Sequence, residues 1–232
     1  LVAPNYGPIF ILSGYVAGIT LDAHVKEQLN LLPQEDRIEK ISNELCKVLD
    51  ALQYLHSRGV VHRDVKPSNI MIENGSVVKL MDLGIARLNG GNKYSSYGFI
   101  GTPQYAAPEQ ILRDSDNTEI NAQTDIYALG VTYYELLTGK NPFKTDVEAE
   151  MLSRQIKMKL PYDKKIPRSI FNVILKATEK VPAKRYKSAS EFKFAILDAL
   201  QRSKENSIKD WVLTNWKTLL GGIVIILILL II

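Results

Sequence analysis

From Pro33 onward, apolar side chains recur at three- and four-residue steps: Ile38, Ile41, Leu45, Val48, Leu49, Leu52 and Leu55. That spacing puts them on one wide stripe of a helix. Pro33 suits the helix start, where a missing N–H costs nothing, and Gly59 suits its end. The period then changes. "IMIENGSVVKLMD" holds two β-prone runs joined by Asn74-Gly75, a pair suited to a turn with positive φ. "TDIYALGVTYYELLTG" is apolar nearly all round and predicts a deeply buried helix. "PRSIFNVILKATEK" and "SASEFKFAILDALQRS" predict amphipathic helices, the second opened by a capping box of Ser188 and Glu191. At the start, "PIFILSGYV" reads as a strand, "AGITL" as a turn out of it and "LDAHVKEQL" as a short helix. "LNGGNKYSSYGF" reads as a mobile loop and "KENSIK" as a short polar linker. One hairpin followed by helices predicts an α+β chain: a mainly helical lobe carrying a small β patch.

Composition narrows this picture. The 232 residues are 46% hydrophobic, enough for one core but too few for two large domains. The net charge of +4 is spread along the chain, which argues for a solvated surface over a nucleic-acid groove. A single cysteine, Cys46, excludes a disulfide framework. The final run, Leu219 to Ile232, carries no charge. Alone it spans about 21 Å, less than the roughly 30 Å hydrocarbon core of a bilayer. Trp211 and Trp216 extend it as interface anchors, with Lys209 and Lys217 on the same side. A transmembrane helix over 213–232 is therefore expected, after a juxtamembrane linker at 202–212 and a globular domain at 1–201.

The chemistry concentrates in "VHRDVKPSN", Val61 to Asn69. Phosphoryl transfer asks a protein for positioning and charge more than for covalent help. Asp64 can accept the hydrogen bond of an attacking hydroxyl. Lys66, two residues on, can face a transferring phosphoryl group. Asn69 offers a neutral oxygen to a hard cation. The hairpin folds its ends together, so Asp82 in "LMDLG" can return close to Asn69. Acids and an amide converging on one spot call for a cation, and Mg²⁺ is the one that such oxygens prefer.

These strings, with "DLG" and "GTPQYAAPE" following in order, resemble the signatures of eukaryotic-type (Hanks-type) protein kinases. The chain is most like the bacterial membrane-bound serine/threonine kinases of the PASTA-kinase group. The resemblance runs from about Pro8 to Leu200 and implies the helical large lobe of a kinase fold with its hinge strand. It implies Asp64 as catalytic base, Lys66 as the phosphate-contacting lysine and Thr102 as a brace for both. Asn69 and Asp82 become ligands of Mg²⁺ or Mn²⁺. Gly14 and Val16 in "SGYV" become the hinge that holds the adenine of ATP, with Met71 as its floor and Ser13 guarding the pocket behind. Glu109 is expected to pair with Arg185, and Asp125 to tie the catalytic loop to the buried helix. His62 is expected to be structural. Arg63 would await a phosphate on the activation loop, with Ser95, Ser96 and Thr102 as candidate phosphosites.

The implied activity is transfer of the ATP γ-phosphate to Ser or Thr of protein substrates, at a cell membrane, with the kinase domain cytoplasmic. Membrane lipid is an expected partner through the tail, and a homodimer is expected for autophosphorylation. An extracellular sensor, often PASTA repeats, would follow the membrane helix. Two departures stand out. "DLG" replaces D-F-G and keeps an apolar plug. The family's glycine-rich loop, ATP-pairing lysine and its glutamate partner should precede "FILSGYV", and none is in these residues. The expectation is a hinge and large lobe of a longer kinase, weak or inactive alone. The alternative is a non-catalytic, membrane-anchored binding module.

Overall fold

The protein is described by a computed structural model. It describes residues 16–83, 94–95, 98–99, 102–112 and 120–231, without the side chains of 94–95, 98–99 and 217–231.

The long apolar stripe lies on the second helix of the chain. A short helix, α1 (Leu21–Glu27), leads through a 3₁₀ turn to α2 (Gln34–His56). Pro33 stands one position ahead of α2 as its N-cap, and its carbonyl accepts from the Arg37 N–H. The expected stripe is buried from Ile38 to Leu52, while Leu55 is only half-buried. Ser42 also lies on the buried face, where its hydroxyl bonds the Tyr133 hydroxyl and the Ile38 carbonyl. Gly59, at φ 72°, lets the chain turn after the helix.

The hairpin is β2 (Ile70–Glu73) and β3 (Val77–Leu80), antiparallel, with Met71 opposite Lys79. Asn74 (φ 50°) and Gly75 (φ 72°) make its turn. The sequence treats "AGITL" as a turn, but Gly18–Thr20 forms β1, the third strand, and pairs antiparallel with β2. Gly18 lies so close to the Ile72 carbonyl that a Cβ there would collide with it. A two-residue ladder of β4 (Tyr94–Ser95) and β5 (Gly98–Phe99) stands in the stretch expected to be a mobile loop.

The helical lobe is built on α4 (Ala122–Thr138), which is buried nearly all round. The Asn121 side chain caps its start by accepting from the Gln123 N–H, and Gly139 ends it in the left-handed region. The turn α3 (Pro108–Ile111) precedes it, and α5 (Glu148–Lys157) and α6 (Arg168–Ala177) follow. Helix α6 packs on α4 at Gly130, where an added Cβ would meet the Thr178 Cγ2 at 2.8 Å. The last helix, α7 (Ala189–Ile231), packs against α2 and α6. Its start is a modified capping box: Ser188 Oγ accepts from the Glu191 N–H, but Glu191 reaches back to the Lys187 N–H.

The segment expected as a short polar linker is helical: α7 runs through 202–212 without a break. Lys204, Glu205 and Lys209 favour a helix, and two contacts fasten the segment to α2, Lys204 to Glu39 and Ser207 to Glu35, both at 2.7 Å. Among the described residues, no helix is long and apolar enough to cross a membrane. The side chains of the apolar run itself lie outside that set.

Candidate active site

The loop between α2 and β2 is held from beneath by one buried carboxylate. Asp125, on α4, accepts from the backbone N–H groups of His62 (2.8 Å) and Arg63 (2.7 Å). Its Oδ2 also bonds the His56 ring at 2.8 Å. These bonds fix the backbone at Arg63, which sits at φ 70°. A non-glycine residue there carries strain on the order of 1–3 kcal/mol, so the loop needs such a clamp. The Arg63 carbonyl accepts from Gln110 Nε2 at 3.0 Å, tying the loop to α3. His62 is fully buried and bonds the Met81 carbonyl at 2.8 Å. It is thus spent on holding the loop against the strand that leads to Asp82.

On this base the polar side chains converge. Lys66 Nζ lies 3.0 Å from Asp64 Oδ2 and donates to Thr102 Oγ1 at 2.7 Å. Asn69 Nδ2 donates to the Asp64 carbonyl (2.9 Å) and to its Oδ2 (3.1 Å). With both amide protons given to Asp64, Asn69 keeps Oδ1 for another partner. Asp64 and Lys66 are mostly covered but reach solvent, with side chains 18% and 20% exposed. The Met81 N–H donates to the Asn69 carbonyl at 2.8 Å, which brings the next residue, Asp82, to the same end of the hairpin. Asp82 is exposed, at φ 52°. Oxygen donors from Asn69 and Asp82 beside Asp64 form a set that fits a hard divalent cation.

A second cluster holds the segment that follows Thr102, from Tyr105 to α3. Arg185 and Glu109 form a bidentate pair at 2.7 and 2.8 Å, with side chains 0% and 1% exposed. The remaining Arg185 donors go to the carbonyls of Glu179, Gln123 and Lys180. Glu109 also accepts from the Thr124 hydroxyl. Close by, Lys180 donates to the Tyr127 hydroxyl and the Gln155 carbonyl, both at 2.7 Å. Burial, and the Arg185 charge next, pull its pKa down to about 7. Tyr105 hydrogen-bonds Glu135 at 2.7 Å, and burial pushes its phenol well above the usual range.

The structure thus brings Asp64, Lys66, Asn69 and Thr102 into one hydrogen-bonded group and stations Asp125, Glu109 and Arg185 behind it. Met71 is half-buried on β2, and Val16 is half-buried just before β1. Gly14, Ser13 and Ser96 lie outside the described residues, as does the side chain of Ser95. Sequence reasoning missed His56 and Gln110, which bond the clamp and the loop. His56 follows the apolar stripe in the last turn of α2, and that placement was the available signal. Gln110 sits next to Glu109 and gave none.

A mainly helical lobe with a small antiparallel sheet, and this polar cluster at their junction, define the large lobe of a protein kinase. The family model described as "Protein kinase domain" matches residues 4–195, and the chain belongs to that family. It is 32% identical over 206 residues to a probable serine/threonine-protein kinase of Clostridium acetobutylicum, covering 87% of this chain and 29% of that protein. It is 36% identical over 200 residues to the serine/threonine-protein kinase PknB of Mycobacterium tuberculosis (81% and 30%). It is 39% identical over 166 residues to the serine/threonine-protein kinase Pkn1 of Myxococcus xanthus (67% and 23%). The chain spans less than a third of the length of these relatives.

Proposed function

We propose that the protein is a serine/threonine protein kinase, transferring the γ-phosphate of ATP to hydroxyls of protein substrates. One observation carries the reading: the Asp64 carboxylate, reachable from solvent, is flanked by Lys66 at 3.0 Å and Asn69 at 3.1 Å. Asp64 accepts the hydrogen bond of the substrate hydroxyl, aims its oxygen and takes its proton late in the transfer. Lys66, steadied by Thr102, neutralises charge on the moving phosphoryl group. Asn69 and Asp82 would hold Mg²⁺ or Mn²⁺, which supplies charge neutralisation at the phosphate oxygens. Val16 and Gly14 contribute backbone to the adenine site, and Met71 contributes its side chain. Arg63 takes a phosphate placed on Ser95, Ser96 or Thr102, and two copies phosphorylate one another.

We further propose that the apolar run after Trp216 anchors the protein in a bilayer, with the kinase lobe on the cytoplasmic side. The uncharged run and Lys209 and Lys217 beside it support this. So do Trp211 and Trp216, which are exposed on α7. The anchor is checked by extraction of the protein from membranes: release by alkaline carbonate without detergent would rule it out.

The function is tested with the protein in its natural length, γ-labelled ATP and a mixed protein substrate. Label on phosphoserine and phosphothreonine is the expected result. Label confined to phosphotyrosine, or none with ATP and Mg²⁺ or Mn²⁺ both present, would overturn the reading.

A further inference from the structure

A groove of about 700 Å³ opens beside the catalytic loop and shares Lys66, Ser68 and Thr102 with it. Its walls come from α1, the start of α2, the end of α4 and two later loops. Four cations outside the catalytic group line it: Lys26, Arg37, Lys144 and Lys165. Among the described residues only two carboxylates do, Asp22 and Glu135. Glu135 is occupied, accepting from the Tyr105 hydroxyl at 2.7 Å and from Asn141 at 3.1 Å. Asp22 faces Lys26 at 3.8 Å.

The other three cations have no carboxylate partner among the described residues. Arg37 donates to the neutral Asn30 Oδ1 at 3.3 Å, and its Nε is buried with no partner. Lys165 reaches only the Thr138 carbonyl, at 3.4 Å. The groove is thus a basic channel whose negative charge is already engaged. From it we infer that the protein substrates carry acidic residues close to the phosphoacceptor. An extended segment with its hydroxyl at Asp64 advances about 3.3 Å per residue, so about five positions on either side cover roughly 16 Å, the stretch in which acids are expected to meet these cations. Unpaired cations lining a channel attract and orient such a segment while repelling a basic one.

This inference rests on the kinase reading, and the experiment separates the two. Serine peptides are compared with Asp, Asn or Lys placed singly and together within five positions of the acceptor, using the natural-length protein. The Asp series should exceed the Asn series in kcat/KM by about tenfold at low salt, and the Lys series should fall below both. The advantage should shrink at 0.5 M salt. It should also shrink severalfold in Lys144→Glu and Lys165→Glu, both at exposed positions. In parallel, fluorescein-labelled copies with the acceptor Ser replaced by Ala are titrated by anisotropy, which needs no turnover. Equal handling of the Asp and Asn series, or preference for Lys, overturns the inference while leaving the kinase reading intact. Preferential binding of the Asp series without phosphate transfer to any peptide sustains the groove assignment and overturns the kinase reading.

Discussion

Removing the Arg185 guanidinium should cost more stability than any other single polar change described here. Its five N–H groups make five bonds, two to Glu109 and three to backbone carbonyls, with the pair out of reach of water. In Arg185→Ala, Glu109 keeps the Thr124 hydroxyl as its one side-chain hydrogen-bond partner among the described residues, and its charge is left uncompensated. Breaking one side of such a buried pair costs about 3–5 kcal/mol, a large share of the 5–15 kcal/mol typical of a whole domain. For a chain of this size that lowers Tm by roughly 6–20 °C. Urea melts followed by far-UV circular dichroism are the right assay, because Trp211 and Trp216 are exposed on the α7 extension and report poorly on the core. The double change Glu109→Leu with Arg185→Met should recover much of the loss, since a buried pair is often replaceable by apolar side chains. A loss below about 1 kcal/mol in Arg185→Ala, or a double variant worse than the sum of the singles, would refute the reasoning.

Three further outcomes follow from the same geometry. Lys180 has a folded pKa near 7 against 10.5 when unfolded, so the unfolded chain binds more protons between those values. Stability should therefore rise from pH 7 to 9, by at most about 1.4 kcal/mol per unit, and Lys180→Met should flatten that slope in urea melts. Gly130→Ala should destabilise the α4–α6 contact by about 1–3 kcal/mol, because the new methyl meets Thr178 and Ala177; calorimetry checks it. Asp125→Asn should lower phosphate transfer with little change in KM for ATP, since it releases the Arg63 backbone and touches no nucleotide; unaltered kcat would count against the clamp.

Much of this architecture was readable in advance because periodicity and turn chemistry agreed. The stripe from Ile38 to Leu52, the Asn74-Gly75 hairpin and the all-round apolar α4 each had one consistent solution. The misreadings share a cause, which is that tertiary contacts decided them. Strand β1 is only Gly18–Thr20 and exists by pairing with β2. "KENSIK" stays helical because Lys204 and Ser207 find Glu39 and Glu35 on α2, well over a hundred residues away in sequence. At the site, motif spacing pointed to Asp64, Lys66, Asn69 and Asp82. It could not show that Asn69 spends its amide protons on Asp64, or that His56 and Gln110 bond the clamp and the loop. Nor could the spread of Lys and Arg along the chain show that four of them meet in one groove.

The central claim is that Asp64 performs the proton and orientation work of phosphate transfer. Its most direct test is kcat of the natural-length protein against Asp64→Asn, with folding of both verified by circular dichroism. Asparagine keeps the shape but cannot take the proton, so kcat should fall by about 10²–10⁴-fold while the affinity for ATP changes little. A folded Asp64→Asn protein that transfers phosphate within about twofold of the parent rate would contradict the account.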